Sequence, residues 1–278
     1  MLKGSIRLFR LFGIQLSVHW TFFLLLGYVA WAGWSDAVAS HAGLPVLGAL
    51  MYGVGLVVFF GCVVLHELGH ALTARRFGVG VPRILLLPIG GMAEFDSIPR
   101  KPSSEFLIAL AGPAVNFVIV AVLLGCGVVF PGAQIGEFIR FVFSAKTGGV
   151  EVDMNFWQDL LAMNLMMGCF NLVPVFPMDG GRVLRALLAM RLEYVRATLI
   201  AATLAKVLAA GAVMAALYYG KYQPAVLFAF IFFAGEMEFR AVVRCEWEMK
   251  RWQQMHTELL RQTVIVEPPP LPDVTGRP

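Results

Sequence analysis

The stretch "VVLHELGHAL", Val63 to Leu72, sets His66, Glu67 and His70 inside a run otherwise apolar enough to cross a bilayer. On a helix, residues four apart share a face, so His66 and His70 can offer two imidazole nitrogens to one ion. Glu67 beside them completes the H-E-x-x-H pattern of zinc hydrolases, in which the carboxylate is the general base. A catalytic zinc keeps three protein ligands and one open position, so a third ligand is owed. Asp179, in "PMDGG", and Glu94 and Asp96, in the segment after the second apolar run, are the candidates. Counting back from Arg75 as an interface marker, a straight helix puts His70 about 7 Å and His66 about 13 Å deep. Asp179 precedes Arg182, another such marker, by three positions and lies at a comparable depth, which makes it the preferred ligand.

Charge explains how these residues can occupy such a place. A carboxylate at mid-membrane costs ~2.5–3.5 kcal/mol on insertion scales, which makes Glu67 and Asp179 liabilities alone. With one divalent cation between neutral histidines, the two negative charges are balanced. One zinc ion per chain is expected, although iron and cobalt share the ligand chemistry. The reaction would be peptide hydrolysis, with Glu67 taking a proton from water that the ion makes more acidic and passing it to the leaving amine.

The elements that must position this cluster are membrane helices. The chain of 278 residues is 59% hydrophobic and 14% charged, with mean hydropathy +0.75. A net charge of +4, scattered along the chain, gives no reason to expect nucleic acid. Spanning the hydrocarbon core takes ~20 apolar residues, and six segments meet or approach that: 18–34, 46–74, 105–130, 156–176, 195–219 and 224–243. Placing both termini in the cytosol puts 18 of the 22 Lys and Arg residues inside, with Arg140, Lys146 and Lys221 outside and Lys206 within a span. The basic, apolar N-terminus has no small-residue cleavage site soon after it and is read as retained. The expected fold is an all-α polytopic membrane protein of six transmembrane helices, with a small membrane-associated β-hairpin or sheet on the cytosolic side.

That hairpin is read from "FGVGVPRILLLPIGGMAEFDSIPR", Phe77 to Arg100, where aliphatic residues alternate with glycines and prolines. The second irregular feature is "NLVPVFPMDGGR", whose prolines and glycines should break the fourth span. Broken backbone survives in hydrocarbon only inside protein or beside a watery cavity. A substrate helix must unwind before water can reach its carbonyls, and the hairpin at Gly90 and Gly91 offers an edge for strand addition. Asn171 could hydrogen-bond substrate backbone, while Asn116 in the third span serves either that role or a bond across helices. The lone His19 and four scattered cysteines, Cys62, Cys126, Cys169 and Cys245, read as packing residues and buried thiols.

"HELGH" in the second span together with "NLVPVFPMDGG" after the fourth resembles the site-2 protease family of intramembrane zinc metalloproteases. The family pair HExxH and NxxPxxxLDG is matched at His66, Glu67, His70, Asn171, Pro174, Asp179 and Gly180, with Met178 where leucine is usual. "AGPAVNFVI" and "FGIQLSVHW" are also similar to the six-span branch. The resemblance covers roughly residues 1–245 and implies regulated intramembrane proteolysis: a membrane-anchored regulator is cut to release a signalling fragment. The implied partners are a transmembrane protein substrate, the lipid bilayer and a regulatory membrane protein, and the implied location is a prokaryotic cytoplasmic membrane. Members of this branch commonly carry C-terminal CBS modules. Here 246–266 reads as a cytosolic amphipathic helix and 267–278 as a Pro-rich disordered tail, and the 131–155 loop is too short for a PDZ domain. Two rivals stand beside the protease: a metal transporter, which would want ligands spread across the membrane, and a catalytically silent homologue, which would lack a ligand or the base.

Overall fold

The computed structural model describes residues 4–39, 44–96, 101–129 and 156–264. The 131–155 loop and the 267–278 tail lie outside them. In chain order the elements are β1 (Ser5–Leu11), β2 (Ile14–His19), α1 (Thr21–Ala39), α2 (Pro45–Arg76), β3 (Arg83–Leu87), β4 (Gly90–Glu94), α3 (Pro102–Val129), α4 (Phe156–Asn171), α5 (Asp179–Ala189), α6 (Tyr194–Tyr218) and α7 (Tyr222–Val264).

The expected hairpin is present as β3 and β4, but it forms half of a four-stranded sheet ordered β1-β2-β3-β4. The other half, the β1–β2 hairpin, falls in sequence read only as a retained terminus and the start of a span. Its signal was a two-residue turn: Phe12 and Gly13 both have positive φ, as a type I′ hairpin turn requires. Strands β2 and β3 run parallel, Leu16 opposite Ile84, with α1 and α2 as the crossover. Ile14, Leu16 and Val18 of β2 and Ile84 and Leu86 of β3 pack with Val63, Leu68, Ala71 and Ala74 of α2. The sheet therefore caps the half of α2 that carries the histidines. The Arg75 guanidinium, at the end of α2, donates to the Phe12 carbonyl in the β1–β2 turn.

Among the described residues, four helices are long and apolar enough to cross a membrane: α1, α2, α3 over Pro102–Gly125, and α6. The other two expected spans differ. Helix α4 ends at Asn171 after 16 residues, about 24 Å of helix against a hydrocarbon core of about 30 Å. Helix α7 is continuous for 43 residues, so the 224–243 span and the described part of the expected amphipathic helix, 246–264, are one element.

Close helix contacts rest on small residues. A Cβ on Gly33 of α1 would stand 2.5 Å from the Gly48 carbonyl of α2, and one on Gly69 of α2 would stand 2.8 Å from the Ala111 carbonyl of α3. Helix α6 meets α7 along Ala202, Ala205 and Ala209, all buried. Lys206, within that span, finds its partner across this seam, 2.8 Å from the Glu236 carboxylate of α7, which also accepts from Arg240. Of the cysteines with described side chains, Cys62 is buried as expected, but Cys169 and Cys245 are exposed on helix faces.

The short helix α5 is tied down by charge. Arg185 is buried and donates to Glu105 of α3 at 2.5 and 2.7 Å and to Glu238 of α7 at 2.8 Å, with Phe176 and Tyr194 of α6 stacked on its guanidinium. Burial is the largest influence on this cation and works against it, but Glu105, Tyr194 and Glu238 together more than reverse that and raise its pKa. Removing one member of a buried pair strands the other charge. Arg185→Met is accordingly expected to cost about 3–5 kcal/mol, read as a lowered unfolding free energy in detergent micelles.

Candidate metal centre

His66 and His70 lie on the buried face of α2. Their Nε2 atoms are 3.1 Å apart, and each is 3.2 Å from Oδ2 of Asp179, the first residue of α5. Among the described residues, this is the one group of three His, Cys, Asp or Glu side chains close enough to share a metal ion. Glu94 instead pairs with Arg83 across the β3–β4 hairpin. Asp96 stays beside Gly80, its backbone N–H donating to the Gly80 carbonyl at 2.9 Å.

The donor set fits zinc on its own geometry. Zinc ligands at ~2.0–2.1 Å on tetrahedral corners stand about 3.3 Å apart. The observed separations of 3.1, 3.2 and 3.2 Å match that edge. His70 Nδ1 lies 2.7 Å from the Ile108 carbonyl, which can only accept, so the hydrogen of a neutral ring sits there and Nε2 carries a lone pair. His66 Nδ1 lies 2.5 Å from Asn116 Oδ1. Three electron-rich atoms thus face one another, the arrangement that a cation stabilises.

Backbone makes the space. A Cβ on Gly112 of α3 would overlap His70 Nε2 and stand 2.7 Å from His66 Nε2. Asp179 is delivered by the turn after α4, in which Val175 N–H donates to Val173 and Met178 N–H to Val175, and the Phe176–Pro177 peptide is cis. That turn folds back so tightly that a Cβ on Gly180 would overlap the Val173 carbonyl, and one on Gly181 would stand 2.7 Å from the Phe176 nitrogen. The paired glycines of "MDGG" are thus the residues that let a helix begin there. A carboxylate in the first turn is also favoured by the helix dipole.

Glu67, half-buried next to His66, points toward the sheet, and its Oε2 accepts from the Ala93 N–H of edge strand β4 at 3.2 Å. Gly91 backs directly onto it: a Cβ there would stand 2.5 Å from Glu67 Cγ. Gly90 begins the same strand at φ +140°. Asn171 ends α4, half-buried. Asn116, for which a substrate contact was one expectation, is fully buried on α3, with Oδ1 at His66 and Nδ2 donating to Asn164 of α4 at 3.1 Å. Asn164 was missed, because a lone asparagine in an apolar helix carries no spacing signal. His19 is apart from this group, 2.8 Å from the Thr21 hydroxyl at the start of α1.

The Asn116 amide and the Ile108 carbonyl already hold the far side of each ring against a side chain at Gly112. Gly112→Ala is expected to leave helix content by circular dichroism unchanged while the purified protein retains well under one zinc per chain by elemental analysis.

The comparisons agree with this geometry. The model of peptidase family M50 matches residues 54–215. The chain is 36% identical over 239 residues to a zinc metalloprotease of Methanocaldococcus jannaschii, covering 86% of this chain and 61% of that protein. It is 30% identical over 191 residues to the Mycobacterium tuberculosis protein named as zinc metalloprotease Rip3, covering 68% of this chain and 45% of that one. The chain therefore spans about half to three-fifths of the length of these curated relatives. Among solved structures, the site-2 protease from Methanocaldococcus jannaschii superposes with a TM-score of 0.55 at 35% identity, over 84% of this chain and 95% of that one. With a family model matched over more than half of its length, the chain belongs to peptidase family M50, the site-2 proteases.

Proposed function

We propose that this protein is an intramembrane zinc metalloprotease that hydrolyses peptide bonds within or near the transmembrane segments of membrane-anchored regulators. The observation that carries the reading is the convergence of His66, His70 and Asp179 from two elements, with Glu67 one residue from His66 beside a sheet edge. In this reading His66, His70 and Asp179 hold one zinc ion, and Glu67 is the general base. When bound, zinc supplies the Lewis acidity that activates water and polarises the scissile carbonyl. Glu67 accepts the proton as the water oxygen bonds to the carbonyl carbon, then returns it to the amide nitrogen as the C–N bond breaks.

Strand β4 gives the substrate its place. Because Ala93 N–H reaches Glu67, that face of the strand looks away from β3, and Gly91 lies on the same face two residues earlier. A locally extended substrate added along Gly90 and Gly91 would bring its carbonyl past Glu67. Asn171, ahead of the turn that delivers Asp179, is a further contact for substrate backbone. The membrane reading places six spans in the bilayer, with α4 and α7 joining the four long apolar helices. The sheet and both termini lie on the cytosolic side of a prokaryotic cytoplasmic membrane, as the basic residues favour. The exposed Ile6, Leu8 and Phe9 of the β1 edge and Phe12 of the turn after it suit contact with lipid. The substrate is a transmembrane protein, and a second membrane protein regulates access.

Glu67→Gln is expected to bind zinc as tightly as the native protein while cleavage of a reconstituted transmembrane substrate falls by at least ~10²-fold. Unchanged cleavage would remove Glu67 from its role, and metal transport into vesicles that ignores this substitution would favour a transporter.

A further inference from the structure

A buried polar line runs from α4 through α3 to the first histidine. Asn164 Nδ2 donates to the Leu160 carbonyl of its own helix at 2.8 Å, and a carbonyl can only accept, so the amide end facing it is the nitrogen. Asn164 Oδ1 is thereby turned toward α3. The Asn116 atom 3.1 Å from it must be a donor, so it is Nδ2. Asn116 Oδ1 is then left facing His66 Nδ1 at 2.5 Å, and that nitrogen must carry the hydrogen. A neutral His66 is left with its lone pair on Nε2, aimed at Asp179 and His70. Each orientation follows from the one before, and the first is fixed by a main-chain group that cannot turn.

His70 needs no such line, because a backbone carbonyl holds it directly. A free Asn116 amide could rotate half a turn, present its NH2 to His66 and favour the tautomer with hydrogen on Nε2, which cannot ligate. Asn116 and Asn164 are both wholly buried, where no water can take over a lost partner. Gly168, one turn beyond Asn164, lets α4 approach closely enough for the bond: a Cβ there would stand 3.3 Å from Asn116 Cβ.

We propose that Asn164 is a positioning residue of the metal centre, holding His66 through Asn116 in the tautomer whose Nε2 can bind the ion. This rests on the reading of His66 as a zinc ligand. The test is zinc affinity of the full chain in detergent, measured by competition with a chelator. Outer partners of metal-bound histidines are commonly worth ~10–100-fold in affinity, and Asn164→Leu is expected to lose about tenfold. Asn164→Ala serves the same comparison if leucine does not fit. Asn164→Asp still accepts from Asn116 Nδ2 and should bind zinc more tightly than the leucine variant. In an Asn116→Leu background, Asn164→Leu should cause no further loss, because its route to His66 is already cut. Native affinity in Asn164→Leu, additive losses in the double variant, or an aspartate variant weaker than the leucine one would each overturn the proposal. His66→Ala binding zinc as tightly as the native chain would instead overturn the metal-site reading, and the inference with it.

Discussion

Two imidazole nitrogens and a carboxylate oxygen, all electron-pair donors, are packed within 3.2 Å of one another at a largely buried site. In low dielectric such a gathering repels itself unless a cation sits among its members. The surrounding architecture can be understood as the means of forcing that gathering. Gly112 leaves the hollow that the imidazoles fill, and Ile108 and Asn116 hold the far side of each ring. The Gly180-Gly181 pair lets α5 begin where its first side chain meets them.

Two helices deliver the donors. Helix α2 is fixed on one side by the sheet, which buries its apolar face, and on the other by α3, which comes close at Gly69. Helix α5 is short and would contribute little cohesion by itself. Its anchor is Arg185, whose guanidinium joins α3, α6 and α7 through two carboxylates and two aromatic rings. Buried ion pairs rarely add net stability over apolar packing, but they define one arrangement strictly. For a residue such as Asp179, whose value lies in where its oxygen is, that definition matters more than stability.

The sheet has two roles in one element. Its β2 and β3 strands pack on the helices, while β4 leaves an edge beside Glu67. In hydrocarbon every backbone donor and acceptor needs a partner. An unwound substrate would need one too, and under the proposed function the β4 edge would supply it. The same bond that occupies the Ala93 N–H also orients the Glu67 carboxylate, so the proposed base and the proposed docking edge are in direct contact.

His66, His70 and Asp179, the group that could share a metal ion, and Glu67 beside them were legible as candidates in the sequence because their signals are local. A helix repeat sets His66, Glu67 and His70 on neighbouring faces whatever surrounds them, and prolines and glycines before Asp179 announce a helix start. The β3–β4 hairpin and the long apolar helices were legible for the same reason, each being a periodicity confined to one segment. The β1–β2 hairpin was overlooked because the apolar alternation of a short strand is hard to tell from the beginning of a span. The partners of Lys206 and Arg185, the burial of Asn116 and the presence of Asn164 depend on which helices touch and at what rotation. No window of sequence contains both sides of such a contact. Sequence alone determined which side chains could bind and activate; only the packing of helices decided which nitrogen of each imidazole faces inward, because that depends on hydrogen bonds between residues roughly forty to fifty positions apart.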